Sequence, residues 1–214
     1  MKAWRTALIP DGTSFEDAAA LAGSFETAWG AVRTAGVKPG MNVLVYGSSG
    51  GVGLYVAQIA KVKGATVTGV CSTRNQLVAR EAGLDFVVDY KRQDVKSLAT
   101  YGGKRFDRII LVNGNNPVSV YQGLLASGGV IVGIGAATQA MKVMVRAPFS
   151  KEFRAYSSVF TPEKDYLDQA AKLVSEGKIA PHVDAVYPIS RAGEAVEYLM
   201  TQHAQGKVVI AVDF

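Results

Sequence analysis

The chain has 214 residues, 49% of them apolar, which is enough for one sizeable core and a small appendage. Its net charge of +5 suits an anionic small ligand, but the basic residues are scattered and not interleaved with aromatics, so no nucleic-acid partner is expected. A single cysteine excludes an internal disulfide and fits a reducing compartment. No apolar run approaches the roughly 20 residues of a membrane span and the start, MKAWRTALIPDG, has no signal-peptide core, so a soluble, cytoplasmic protein without a membrane partner is expected.

In chain order, Asp11 and Gly12 make a turn, and Ser14, with Glu16 and Asp17 behind it, can cap a helix from near Phe15 to about Thr34. An interruption of that helix is expected near Gly23. Asn42 to Tyr46 is a short β-rich apolar run of the kind buried on both faces of a parallel sheet, and it stops at a glycine-dense turn. From Gly50 the period becomes helical, with Val52, Val56, Ile59 and Ala60 on one face. Gly64 stops that helix and Thr66 to Val70 forms a second apolar strand. Strand, turn, helix and strand in about 30 residues make one βαβ crossover, the unit of a doubly wound parallel Rossmann sheet.

The turn is where function enters. Gly50 and Gly51 carry no side chain to hold a ligand away, Gly53 lets the helix pack on the strand, and the free N–H groups of Ser49 to Val52 face any bound phosphate. A dinucleotide pyrophosphate fits there, although a strict G-x-G-x-x-G ending at Gly53 would need glycine at Ser48. An acidic residue at the end of the second strand, roughly 20 residues on, would mark an NAD site by accepting from the ribose 2′-hydroxyl. This chain instead has Cys71 followed by Ser72, Thr73 and Arg74, two hydroxyls and a fixed cation that suit a 2′-phosphate, so NADP(H) is the expected cofactor. Cys71 itself reads as a small core residue.

A helix over about Asn75 to Ala82 and a short strand at Phe86 to Val88 follow, then Asp89 and Tyr90. Tyr90 either packs on the adenosine side of a cofactor or is a half-buried surface tyrosine. A helix near Asp94 to Thr100 leads to a fourth strand, Arg108 to Val112, which ends in NGNNP; Asn113 and Gly114 there can offer amide groups to the cofactor. Pro117 begins a helix ending near Ala126, and Val130 to Gly133 makes a fifth strand. Met141 to Phe160 is expected to hold two strand pieces, of which EFRAYSSVF is the long, sixth edge strand. Such an edge leaves N–H and C=O groups that a two-fold mate can satisfy, so a homodimer is expected. A helix of about Pro162 to Glu176, a strand near Val183 to Tyr187, a helix of Arg191 to Gln202 and a strand Lys207 to Val212 complete the chain. Residues 1–160 are expected to form the cofactor domain with its lead-in helix, and 161–214 a small α+β appendage.

VLVYGSSGGVGLYVAQIAK, the upstream IPDGTSFEDAAAL with FETAW, the VVDY after the third helix and the closing HAQGKVVI together resemble the medium-chain dehydrogenase/reductase superfamily, in its zinc-free, quinone-oxidoreductase-like branch. The resemblance runs from about Ala7 to Phe214. It implies reductases that pass a hydride from NADPH to quinones or to activated alkenes such as enones. It also implies that Thr27 lies close to the nicotinamide, that Gly133, Ile134 and Gly135 present backbone to that ring, and that Gly206 and Lys207 sit beside the cofactor. NGNNP departs from the family's Asp-containing loop. Zinc-dependent relatives place a ligand cysteine near Gly23; with one Cys and two His, His182 and His203, this chain has no set for tetrahedral zinc, and no metal is expected.

Full-length members of the family begin with a β-rich substrate domain, and Met1 to Thr6 stands where it would be ending. The sequence is therefore read either as a portion of a longer enzyme or as a naturally short protein, with little turnover of quinones or enones expected of the chain alone. No catalytic acid or base is assigned. The alternative function is a non-catalytic NADP(H)-binding module that senses cofactor or pairs with a separate substrate-binding chain.

Overall fold

The computed structural model describes residues 6–98, 105–114, 116–134, 138–159, 165–201 and 204–212. Asn115, Gly135, Phe160, Gln202 and His203, and the Pro162 start of the helix expected to run to Glu176, lie outside them.

Helix α1 (Phe15–Ala35) is capped by Ser14, whose hydroxyl accepts from the Asp17 N–H at 3.0 Å. The expected interruption at Gly23 is not there: the helix runs through it. A glycine in a helix costs about 1 kcal/mol, whereas burial of a side chain such as Leu21, Phe25 or Val32 returns about 1.5–3 kcal/mol each. Packing outweighs the local propensity.

Strand β1 (Asn42–Tyr46), helix α2 (Gly51–Val62) and strand β2 (Thr66–Cys71) form the crossover read from the sequence. A 3₁₀ turn (Thr73–Asn75) leads into α3 (Gln76–Glu81), then β3 (Phe86–Asp89), β4 (Phe106–Leu111), α4 (Val118–Leu124) and β5 (Leu125–Ile134). The helix expected near Asp94 to Thr100 is, in its described part, a 3₁₀ turn over 95–98, and Thr100 lies outside the described residues. Helix α5 (Thr138–Arg146) replaces the first of the two strand pieces expected after Met141. Met141, Val143 and Val145 alternate as a strand would, yet only Val143 is buried, and Met141, Lys142 and Arg146 are good helix formers. The second piece is a strand, but β6 covers only Phe153–Tyr156.

The six strands are parallel and ordered β3-β2-β1-β4-β5-β6. Alternate residues of β1 point to opposite faces, so Val43 and Val45 enter a core with α1 and α2, while Leu44 and Tyr46 enter another with α4 and α5. Gly30 lets α1 approach β6, because a Cβ there would overlap the Tyr156 ring. Helix α6 (Tyr166–Ser175) adds Tyr166, Ala170 and Leu173 to the core of α1 and α2. Strand β7 (Val183–Pro188), helix α7 (Ala192–Thr201) and strand β8 (Lys207–Ala211) form a separate parallel pair with its crossover. It is tied to the large sheet by pairing of Gly206 with Gly50.

Candidate functional site

The strand order reverses between β1 and β4, and open α/β sheets bind ligands at the carboxyl ends of such strands. A cleft of about 490 Å³ lies there. The turn Gly47–Gly50 connects β1 to the first N–H groups of α2, which open into it. Gly53 makes that geometry possible, since a Cβ on it would overlap the Gly47 carbonyl. No larger residue fits.

Of the residues read from the sequence, Ser49, Gly50, Gly51, Val52, Ser72, Tyr90 and Asn113 line the cleft. Thr73 and Arg74 are exposed beside it without lining it. The Thr73 hydroxyl donates to Asp89 at 2.6 Å, and Arg74 hydrogen-bonds the Tyr198 hydroxyl on α7. Gly206 and Lys207 approach from the small sheet: the Gly206 N–H donates to the Ser49 carbonyl at 3.1 Å, and a Cβ on Gly51 would stand 2.6 Å from Lys207 Cδ. Thr27, half-buried on α1, donates to the Gly23 carbonyl at 2.8 Å and lies 3.3 Å from Ser158 Oγ. Gly133 and Ile134 end β5 in register with Ala155 and Tyr156; neither lines the cleft.

Among the lining residues that escaped the sequence reading are Tyr46, Asn75 and Leu199. Tyr46 stacks with Tyr90 at 6.4 Å between ring centroids, which gives the cleft an aromatic wall. Burial first, then the neighbouring Tyr121 and Tyr90, pushes the Tyr46 hydroxyl up to about 12, so it stays protonated. Asn75 bonds Ser49, and Leu199 is contributed by α7, far downstream of the turn in the chain. Nothing in their local sequence shows those partners.

The Cys71 thiol, at the end of β2, is pushed up to about 11 by burial and then by Asp89, so it is a packed thiol and not a nucleophile. Asp89 does not line the cleft; its carboxylate accepts from Thr73, from the Gln76 amide and from the Lys91 N–H, bonds that hold it below the ordinary carboxylate range. It occupies the end of β3, and the end of β2 carries no carboxylate.

The sequence profile of a family described as zinc-binding dehydrogenase matches residues 82–210, more than half of the chain. The chain belongs to the medium-chain dehydrogenase/reductase superfamily. Within it, the chain is 32% identical over 171 residues to the chloroplast envelope quinone oxidoreductase homolog of Arabidopsis thaliana, covering 79% of this chain and 52% of that protein. It is 34% identical over 209 residues to the chloroplastic NADPH-dependent alkenal/one oxidoreductase of the same plant, covering 95% and 49%. The quinone oxidoreductase of Coxiella burnetii superposes with a TM-score of 0.82 at 30% identity, over 97% of this chain and 64% of that one. The chain thus spans about half the length of these curated relatives. Among the described residues no helix is long and apolar enough to cross a membrane.

Proposed function

We propose that the chain binds NADP(H) and forms the cofactor-binding part of a zinc-independent oxidoreductase acting on quinones or enones. The observation that carries this reading is the cleft at the sheet's switch point, with the α2 amide groups on one side and the Ser72–Asn75 turn on the other. Its glycines make a cradle that fits a pyrophosphate. A dinucleotide would be held by Ser49 to Val52 at its phosphates, by Tyr46 and Tyr90 at the adenine and by Asn113 farther along.

Preference for NADPH is supported by the hydroxyls and guanidinium after β2, where NAD sites carry a carboxylate. The similarity to the NADPH-dependent alkenal/one oxidoreductase of Arabidopsis thaliana agrees with it. The nicotinamide supplies the hydride; this chain's residues bind, orient and shield it. Thr27, Gly133 and Ile134 are assigned to the nicotinamide side, and Gly206 and Lys207 to the phosphates. Zinc independence is supported by a sequence with one cysteine, the buried Cys71, and two histidines. We assign 1–160 to the cofactor domain and 161–214 to the appendage, the exposed edge of β6 to a homodimer, and the protein to the cytoplasm, on its single reduced thiol.

The test is NADPH binding to the chain alone, followed by NADPH consumption with a quinone or an enone as acceptor. Saturable binding with little consumption supports the cofactor-binding part, acceptor-dependent consumption would show that the chain is a reductase by itself, and no binding overturns the proposal.

A further inference from the structure

A one-way chain of hydrogen bonds runs from the small sheet to the glycine turn. Gln205 Nε2 lies 3.1 Å from the Arg74 carbonyl oxygen, which can only accept. That fixes the Gln205 amide as the donor, so its second bond, 3.0 Å to Asn75 Oδ1, is also donated. Asn75 must then present its Nδ2 to Ser49 Oγ, 2.9 Å away. The Ser49 oxygen accepts, and its own O–H is left to donate elsewhere. Asn75 is 3% exposed and Ser49 is 7% exposed, and both line the cleft.

The upstream end of the chain is anchored as well. The Gln205 N–H donates to Asp184 at 2.9 Å, and the Tyr198 hydroxyl donates to the same oxygen at 2.7 Å. Gly206 then pairs with Gly50, which fixes the segment against the turn.

We propose that Gln205 and Asn75 are positioning residues that aim the Ser49 hydroxyl into the cleft as a donor to a cofactor phosphate. This rests on the NADP(H) reading above. Ser49 touches the ligand; Asn75 and Gln205 act through it. The bonds run donor to acceptor toward the cleft, so an acceptor such as a phosphate oxygen completes the series and a group that can only donate would not.

The experiment is a double-mutant cycle on NADPH affinity with Ser49→Ala, Gln205→Ala and the pair, with melting temperatures measured alongside. Each single change is expected to weaken binding about five- to tenfold, in line with one hydrogen bond. The double variant is expected to lose little more than Ser49→Ala alone, because Gln205 has then no hydroxyl to aim. Losses that multiply would show that Gln205 supports the site by packing alone and would overturn the inference. If Gln205→Ala proves unstable, Gln205→Met decides: it keeps the length of the side chain but donates nothing, so it should weaken NADPH about five- to tenfold in the presence of Ser49 and add little to Ser49→Ala, and unchanged affinity would overturn the proposal. Failure of the unmutated chain to bind NADPH would overturn the NADP(H) reading and this inference with it; binding with multiplying losses overturns the inference only.

Discussion

Gln58 on α2 exchanges two hydrogen bonds with the backbone of Ala180: its Nε2 donates to the Ala180 carbonyl at 3.1 Å and its Oε1 accepts from the Ala180 N–H at 2.8 Å. The side chain serves Ala180 as a neighbouring strand would, on the segment that leads into the small sheet. Gln58 is 7% exposed, so the amide is paired where water cannot replace its partner. Gln58→Leu should therefore destabilise the fold by about 1–3 kcal/mol, read from urea unfolding. A change within a few tenths of a kcal/mol would show that the pair is not needed.

Gly53→Ala should be more damaging than its size suggests. Its Cβ would overlap the Gly47 backbone, which cannot move as a flexible side chain could. We expect a loss of about 1–3 kcal/mol of stability from overpacking together with loss of NADPH binding. A variant with unchanged melting temperature and affinity would contradict the assigned turn geometry.

Arg74→Ala should weaken NADPH by about 1.5–3 kcal/mol, the range of a hydrogen bond to a charged group, and leave NADH almost unchanged. The exposed Arg74 has Tyr198 as a partner on α7, so part of its cost will fall on stability; the NADPH-to-NADH ratio isolates the part that belongs to the 2′-phosphate. Equal weakening of both would remove Arg74 from the phosphate site.

Asp89 predicts a pH dependence. Its folded carboxyl is held low, first by the Thr73 hydroxyl, so it contributes stability that is present above its unfolded value and is lost as pH falls through the folded one. The window lies below about pH 4, where an unfolded aspartate titrates. Thr73→Val removes the leading bond, raises the folded value and should move the acid-unfolding midpoint upward. An unmoved midpoint would assign the low value to other groups.

The edge strand β6 predicts a homodimer. Its described length, Phe153–Tyr156, is shorter than the stretch that reads as a strand in the sequence, so fewer backbone pairs are available across a two-fold axis. Sedimentation at micromolar concentration should give the dimer mass; a monomer would exclude this pairing.

Most of the fold was legible because its signals are local. Asn42–Tyr46, the glycine turn and Thr66–Cys71 each carry their own period and punctuation, and the parallel sheet follows from them. α1 was misread at Gly23 because burial of its neighbours outweighs the glycine, and α5 over Met141 because the helix propensity of its residues outweighs an alternation of which only Val143 is buried. The cleft was legible at the turn and at Ser72, where sequence neighbours are also spatial neighbours, while Thr73 and Arg74 stand beside it without lining it. Asn75, Gln205 and Leu199 were not, since their partners lie far away in the chain and no residue type announces them.

The most direct test of the central claim is equilibrium titration of the chain with NADPH and, separately, NADH. The account predicts saturable binding of one NADPH per chain, with NADH weaker by the 2′-phosphate contact and ADP-ribose 2′-phosphate competing with NADPH. No binding of either nucleotide, or equal affinities for the two, would contradict it.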